Sequence, residues 1–85
     1  MLQHFSVHSP RDDHPNERVT FRYKTNDREG DGYLSRTTLD QLAKGQPGTP
    51  LEIFDRYRDQ ILKAAYLHWT VNPLNKVIVL GAHDF

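Results

Sequence analysis

The stretch Thr49-Pro50-Leu51-Glu52 constrains this chain more than any other. A threonine three residues ahead of a glutamate is a capping box: the hydroxyl accepts an N–H of the first turn, and the carboxylate returns to the threonine N–H. Proline fits the first helical position, where no N–H is needed. A helix must therefore begin there. Drawn at about 100° per residue, it carries Phe54, Tyr57, Ile61, Ala64, Ala65 and His68 on one face, with Leu51, Leu62 and Trp69 on the flank. Glu52, Asp55, Arg56, Asp59 and Lys63 fall on the opposite, solvent side. Asn72-Pro73 ends the run, because a residue before proline disfavours helical angles. The strand that follows, Val77-Ile78-Val79-Leu80, is apolar on both sides, a pattern that suits a strand with neighbours rather than a wet edge.

Upstream, Val19, Phe21 and Tyr23 alternate with Thr20, Arg22 and Lys24, the period of a half-buried strand. Residues 25–32, with Asn26-Asp27 and two glycines, read as a hairpin loop before an extended segment resumes at Tyr33-Leu34. The period then changes. Leu39, Leu42 and Ala43 repeat at helical spacing behind Ser35 and Thr37, Thr37 with Asp40 offers a capping box, and Gly45 supplies a stop. The first eighteen residues hold apolar anchors only at Leu2, Phe5 and Val7, and residues 11–16 have the composition of a loop. The expected organisation is a partly ordered arm over residues 1–18 and one α+β domain over 19–85. That domain has two layers: a small, mainly antiparallel sheet of the hairpin and the C-terminal strand, open to extension by an N-terminal edge strand, with two helices on one face.

Composition excludes several function classes. Eleven basic side chains balance eleven acidic ones in 85 residues, so no global field steers a polyanion or an acidic membrane toward the chain. There is no cysteine, which removes disulfides, thiolate metal sites and cysteine nucleophiles together. The N-terminal stretch has no apolar core of a signal segment, and the longest aliphatic run is far short of a bilayer span. A cytoplasmic protein without membrane association is expected.

The string Val19-x-Phe21, then Leu34-Ser35-Arg36-Thr37-Thr38-Leu39, then Pro50-Leu51-x-x-Phe54-x-x-x-Arg58-x-x-Ile61, then Val77-Ile78-Val79-Leu80 with Asp84-Phe85, resembles the bacterial Domain of Unknown Function 1488 family. The resemblance covers nearly the whole chain from Phe5 onward. It implies a small antiparallel sheet with two helices against one face, and it implies no activity, because the matched positions are aliphatic and capping residues. Arg58 and Asp84 match polar positions of the pattern.

No constellation of residues specifies a reaction. His4, His8 and His14, with Asp12 and Asp13, are of metal-ligand type, but an extended segment holds His4 and His8 about 13 Å apart; no metal and no cofactor is expected. His68 has no serine or cysteine nucleophile in a recognisable setting, so it reads as a boundary histidine bonded to a backbone carbonyl, and the chain as no enzyme. Arg58, on the rim of the apolar face, is expected to tie the long helix to the C-terminal segment through Asp84 or the chain-end carboxylate. Two surfaces remain for recognition. Tyr66 and Trp69, with an uncovered sheet face, suit an unidentified protein partner or a second copy. Arg22, Lys24, Arg28 and Arg36, interleaved with Tyr23 and Tyr33, suit RNA or single-stranded DNA, although Asp27, Glu29 and Asp31 in the same hairpin oppose phosphate. The favoured reading is a non-catalytic interaction or self-association module; the alternative is weak nucleic-acid binding through the hairpin.

Overall fold

Alternation of apolar and polar side chains decides which way the sheet faces, and its register shows how completely. The computed structural model of the chain describes residues 5–74 and 77–85. Four strands, β1 (Ser6–Asp13), β2 (Arg18–Lys24), β3 (Glu29–Ser35) and β4 (Val77–Leu80), lie side by side in sequence order. The first three are antiparallel neighbours, whereas β4 runs parallel to β3. That parallel pair needs a long crossover, and the helices α1 (Arg36–Ala43), α2 (Pro50–Arg56) and α3 (Arg58–Val71) supply it. Val7, Val19, Phe21, Tyr23, Leu34, Ile78 and Leu80 point to the helical side and share one core with Leu39, Phe54, Ile61 and Ala65. The other face of the sheet carries no helix. Among the described residues no helix is long and apolar enough to cross a membrane.

Within the N-terminal arm expected over residues 1–18, Ser6–Asp13 form the edge strand that the expected sheet left room for. Strand β1 pairs with β2 from Ser6 opposite Lys24 to Asp13 opposite Arg18, interrupted by an irregularity between His8 and Arg11. Burial of Phe5 and Val7 anchors it. Side chains finish the attachment: Asp13 accepts from Arg18 Nε at 2.7 Å, and Arg36 reaches Asp12 at 3.3 Å. The loop-like residues around Pro15 shrink to a short 3-10 turn, His14–Asn16. Residues 1–4, including His4 and Leu2, lie outside the described residues.

The hairpin loop is also shorter than expected. Thr25 N–H donates to the Arg28 carbonyl at 2.8 Å, closing the turn over residues 25–28. Gly30 and Gly32 lie within β3, opposite Tyr23 and Phe21. Their role is space, since each lacks a Cβ where the ring of its cross-strand neighbour lies.

Capping governs the helices. Thr49 and Glu52 form the expected box, with N–H···O distances of 3.2 and 3.1 Å. The first helix is capped by Ser35 and not by Thr37, because Ser35 takes extended angles and accepts the Thr38 N–H at 3.1 Å. The expected single helix from Pro50 is two. Tyr57 leaves helical angles (φ −107°, ψ 21°), and its N–H is shared between the Ile53 and Asp55 carbonyls. One straight wheel therefore leaves out Ile53, which is buried with Phe54 in α2, and puts Tyr57 and His68 deeper than their half-buried positions. Strand β4 is likewise an edge and not an interior strand, with Val77 and Val79 exposed on the helix-free face.

The packing at Gly32 generates a test. A Cβ there would sit 2.5 Å from the Phe21 ring and 2.9 Å from the Ile78 carbonyl oxygen, and the second is backbone that a rotamer change does not move. Gly32→Ala is expected to lower stability by about 1–3 kcal/mol, the range of overpacked cores. A urea unfolding midpoint equal to that of the parent would show that the strands separate there at no cost.

Candidate functional site

Register places the polar residues of β2 on the helix-free face, and this face holds a cleft. Arg18, Thr20 and Arg22 lie along β2, Thr20 stands between Arg11 of β1 and Tyr33 of β3, and Asp31 stands opposite Arg22. Together with Ser9, Val77, and the floor made by Phe21 and Gly32, they line a cleft of about 630 Å³. The irregularity in β1 shapes its rim. Ser9 there adopts φ +52°, a conformation uncommon for a residue with a side chain.

Electrostatics in the cleft are largely internal. The Arg18 guanidinium lies 4.4 Å from the centre of the Tyr33 ring while its Nε donates to Asp13. That hydrogen bond, helped by one from Asn16, holds the Asp13 carboxyl below the ordinary aspartate range. Arg22 donates to Asp31 at 3.0 Å and lies 3.8 Å from Glu29. Arg11 and Lys24, by contrast, meet no carboxylate within ion-pair distance among the described residues.

The residues expected to form one basic, aromatic surface are thus divided. Arg22 and Tyr33 line the cleft, and Lys24 shares their face toward the hairpin turn. Tyr23 does not join them, because it points into the core. Arg36 is held outside the cleft by Asp12 and by His14 Nδ1, 3.2 Å away. Tyr66 and Trp69 belong to the helical layer, where they cover Phe5 with ring centroids 5.6 and 5.8 Å from it. Sequence reading passed over Arg11, Arg18 and Thr20. The signal that finds them is the alternation of β2 extended one residue upstream, together with the strand character of β1.

Arg58 and Asp84 do not meet. Arg58 ties α3 to β1 by donating to the Val7 carbonyl at 3.4 Å, lies 3.6 Å from Asp55, and covers the Phe54 ring at 5.8 Å. Asp84 instead receives the Gly81 N–H at 2.7 Å and His68 Nε2 at 2.8 Å, with His83 farther off at 3.7 Å. The expected backbone-carbonyl partner of His68 is therefore a carboxylate. A His–Asp pair is a familiar catalytic element, but neither residue lines the cleft at Thr20 or the smaller ones beside Leu42 and Phe5. What the pair does is close the 3-10 turn Ala82–Asp84 onto α3. Among the described residues no group of three imidazole or carboxylate side chains is arranged to hold a metal.

With this geometry in view, comparison with known proteins is informative about architecture. No family model and no curated protein matches the chain. Among solved structures, the 1.60 Å crystal structure of a protein of unknown function from the DUF1488 family of Shewanella loihica PV-4 superposes with a TM-score of 0.79 at 17% identity, covering 95% of this chain and 96% of that one. This chain has that protein's fold. The DUF1488 likeness agrees with the family resemblance carried by the sequence, and it brings no activity with it, since that protein's function is itself unknown.

The Asp84 contacts set a pH dependence. Burial alone would raise its pKa, but the Gly81 N–H and the His68 imidazole outweigh burial and hold it below the ordinary aspartate value. A depressed carboxyl contributes stability above its unfolded pKa and loses it as pH falls through the folded one. Asp84→Asn is expected to cost about 1.5–3 kcal/mol at neutral pH, as for a hydrogen bond to a charged group. The gap between parent and variant should shrink below about pH 4; unfolding curves at pH 7 and pH 3 that differ from each other equally in the two proteins would remove this assignment.

Proposed function

We propose that this DUF1488-type domain is a non-catalytic interaction module that presents the helix-free face of its sheet to a protein partner. The observation that carries the reading is the one-sided sheet. Three helices cover one face of the four strands, and the other displays the cleft at Thr20. A face of this kind joins charged side chains, aromatic surface at Tyr33 and aliphatic surface at Val77 and Val79, the mixture that protein interfaces use. Groups of catalytic type are otherwise engaged: His68 and Asp84 fix a turn, and His14 and Asp12 hold Arg36.

Binding of RNA or single-stranded DNA is the second reading, and one observation favours it: Arg11 and Lys24 stand on this face without carboxylate partners among the described residues. Three further cations oppose it. Arg18, Arg22 and Arg36 are each paired with an aspartate, so the contacts that would release counterions from a nucleic acid are largely satisfied within the protein.

A photo-crosslinking residue placed at Thr20, in the centre of the face, and separately at Lys63, on the exposed side of α3, separates these readings when irradiated in the producing cell. Discrete protein adducts from position 20 and none from position 63 are expected. Adducts to nucleic acid alone would transfer the proposal to the second reading, and identical products from both positions would end the first.

A further inference from the structure

The two edges of the sheet are built to opposite rules. At β1 the pairing is interrupted between His8 and Arg11, Ser9 takes a positive φ, Pro10 has no N–H to offer, and Arg11, Asp12 and Asp13 place charge along the strand. Each of these is a device by which proteins keep another strand from adding to an edge. Strand β4 has none of them. Val77-Ile78-Val79-Leu80 contains no charge, proline or bulge, holds continuous register with β3 at all four positions, and is the last strand in the order. Val77 and Val79 remain 40% and 46% exposed.

We propose that β4 is a two-fold interface at which β4 of a second copy adds in antiparallel register, joining two four-stranded sheets into one of eight. Symmetry and charge select a second copy. In a two-fold contact the residue on the axis meets its own copy, so a charge there faces its like; β4 carries none, whereas self-pairing of β1 about Arg11, Asp12 or Asp13 would set that charge against itself. The chain as a whole has no net charge, so the approach of two copies meets no long-range repulsion. Pre-organisation argues the same way. A free peptide adding to a four-residue strand must be ordered at about 1–2 kcal/mol per residue, while a second copy brings a strand already extended and held by β3.

The pairing is specific about geometry. A two-fold perpendicular to the sheet keeps both helix-free faces on one side, and residues directly opposite in a sheet share a face. Val77 and Val79 share the helix-free face and Ile78 and Leu80 the core face. The axis therefore passes beside Ile78 or beside Val79, and in either register valines of one copy flank valines of the other. The inference stands independently of the partner proposed for the open face, because Thr20 lies two strands away from β4.

Sedimentation equilibrium of the full chain over about 5–500 μM tests it. The expected result is a concentration-dependent rise from one to two times the 9.9 kDa chain mass. Val79→Lys, at an exposed position, should remain a monomer throughout while keeping the parent circular dichroism, and so should Val79→Glu. An equimolar mixture of the two variants should recover the double mass, since opposite charges then meet across the axis. A parent chain that stays at single mass, a Val79→Lys variant that still doubles, or a mixture that remains monomeric would each overturn the proposal, and none would touch the crosslinking result at Thr20.

Discussion

The fold depends on large rings from β2 lying across glycines of β3. Phe21 occupies the space where a Gly32 side chain would be, the Ile78 carbonyl of β4 borders that same space, and the Phe21 ring meets Phe54 of α2 with ring centroids 5.9 Å apart. Tyr23 lies over Gly30 in the same way and stacks on Phe5 at 5.6 Å. Aromatic rings laid over in-strand glycines pin register. Here they also bring three strands and a helix to one point, so that the core side of the sheet is filled by β2 while β3 contributes mainly Leu34. A one-residue slip between β2 and β3 would set rings against side chains and turn Val19, Phe21 and Tyr23 to water.

That arrangement makes the sheet one-sided, and one-sidedness organises everything that faces solvent. Residues alternating with the buried rings are Arg18, Thr20 and Arg22, and the carboxylates that hold the arginines come from neighbouring strands: Asp13 from β1, Asp31 from β3. Exposed ion pairs of this kind add little to stability. Their consequence is positional, since they fix two guanidinium groups on either side of Thr20, while Arg11 opposite it has no carboxylate partner among the described residues.

Local rules made the capped helix starts and the alternation of β2 legible from sequence, because each depends on residues within one turn or one strand. The Thr49–Glu52 box is of this kind. Other features required the third dimension. Gly30 and Gly32 have the composition of a loop, and only the rings opposite them reveal an in-strand role. The first strand looked like an arm because its anchors are just Phe5 and Val7, and its remaining hold comes from β2 and from Arg36, 24 residues away from Asp12. The break at Tyr57 carries no proline or glycine to announce it. Charge pairs Asp84 with Arg58, yet Arg58 reaches the Val7 carbonyl and the carboxylate reaches His68; with both signs abundant in the chain, sequence gives the inventory of charges and packing chooses the pairs.

Across the helix-free face the chemistry changes steadily, from the charged edge at Arg11 and Asp13, through arginines on β2 and Tyr33 on β3, to valines on β4. An edge that repels addition and an edge that invites it are thus joined by a surface graded between them. Placing β4 at the centre of a two-fold sheet would put the aliphatic strip in the middle and carry the charged ends outward, with one cleft on each side. Val77 belongs both to that strip and to the lining of the cleft. The cleft nonetheless centres on Thr20, two strands away from β4, so an occupant there borders the aliphatic strip without competing for the edge itself.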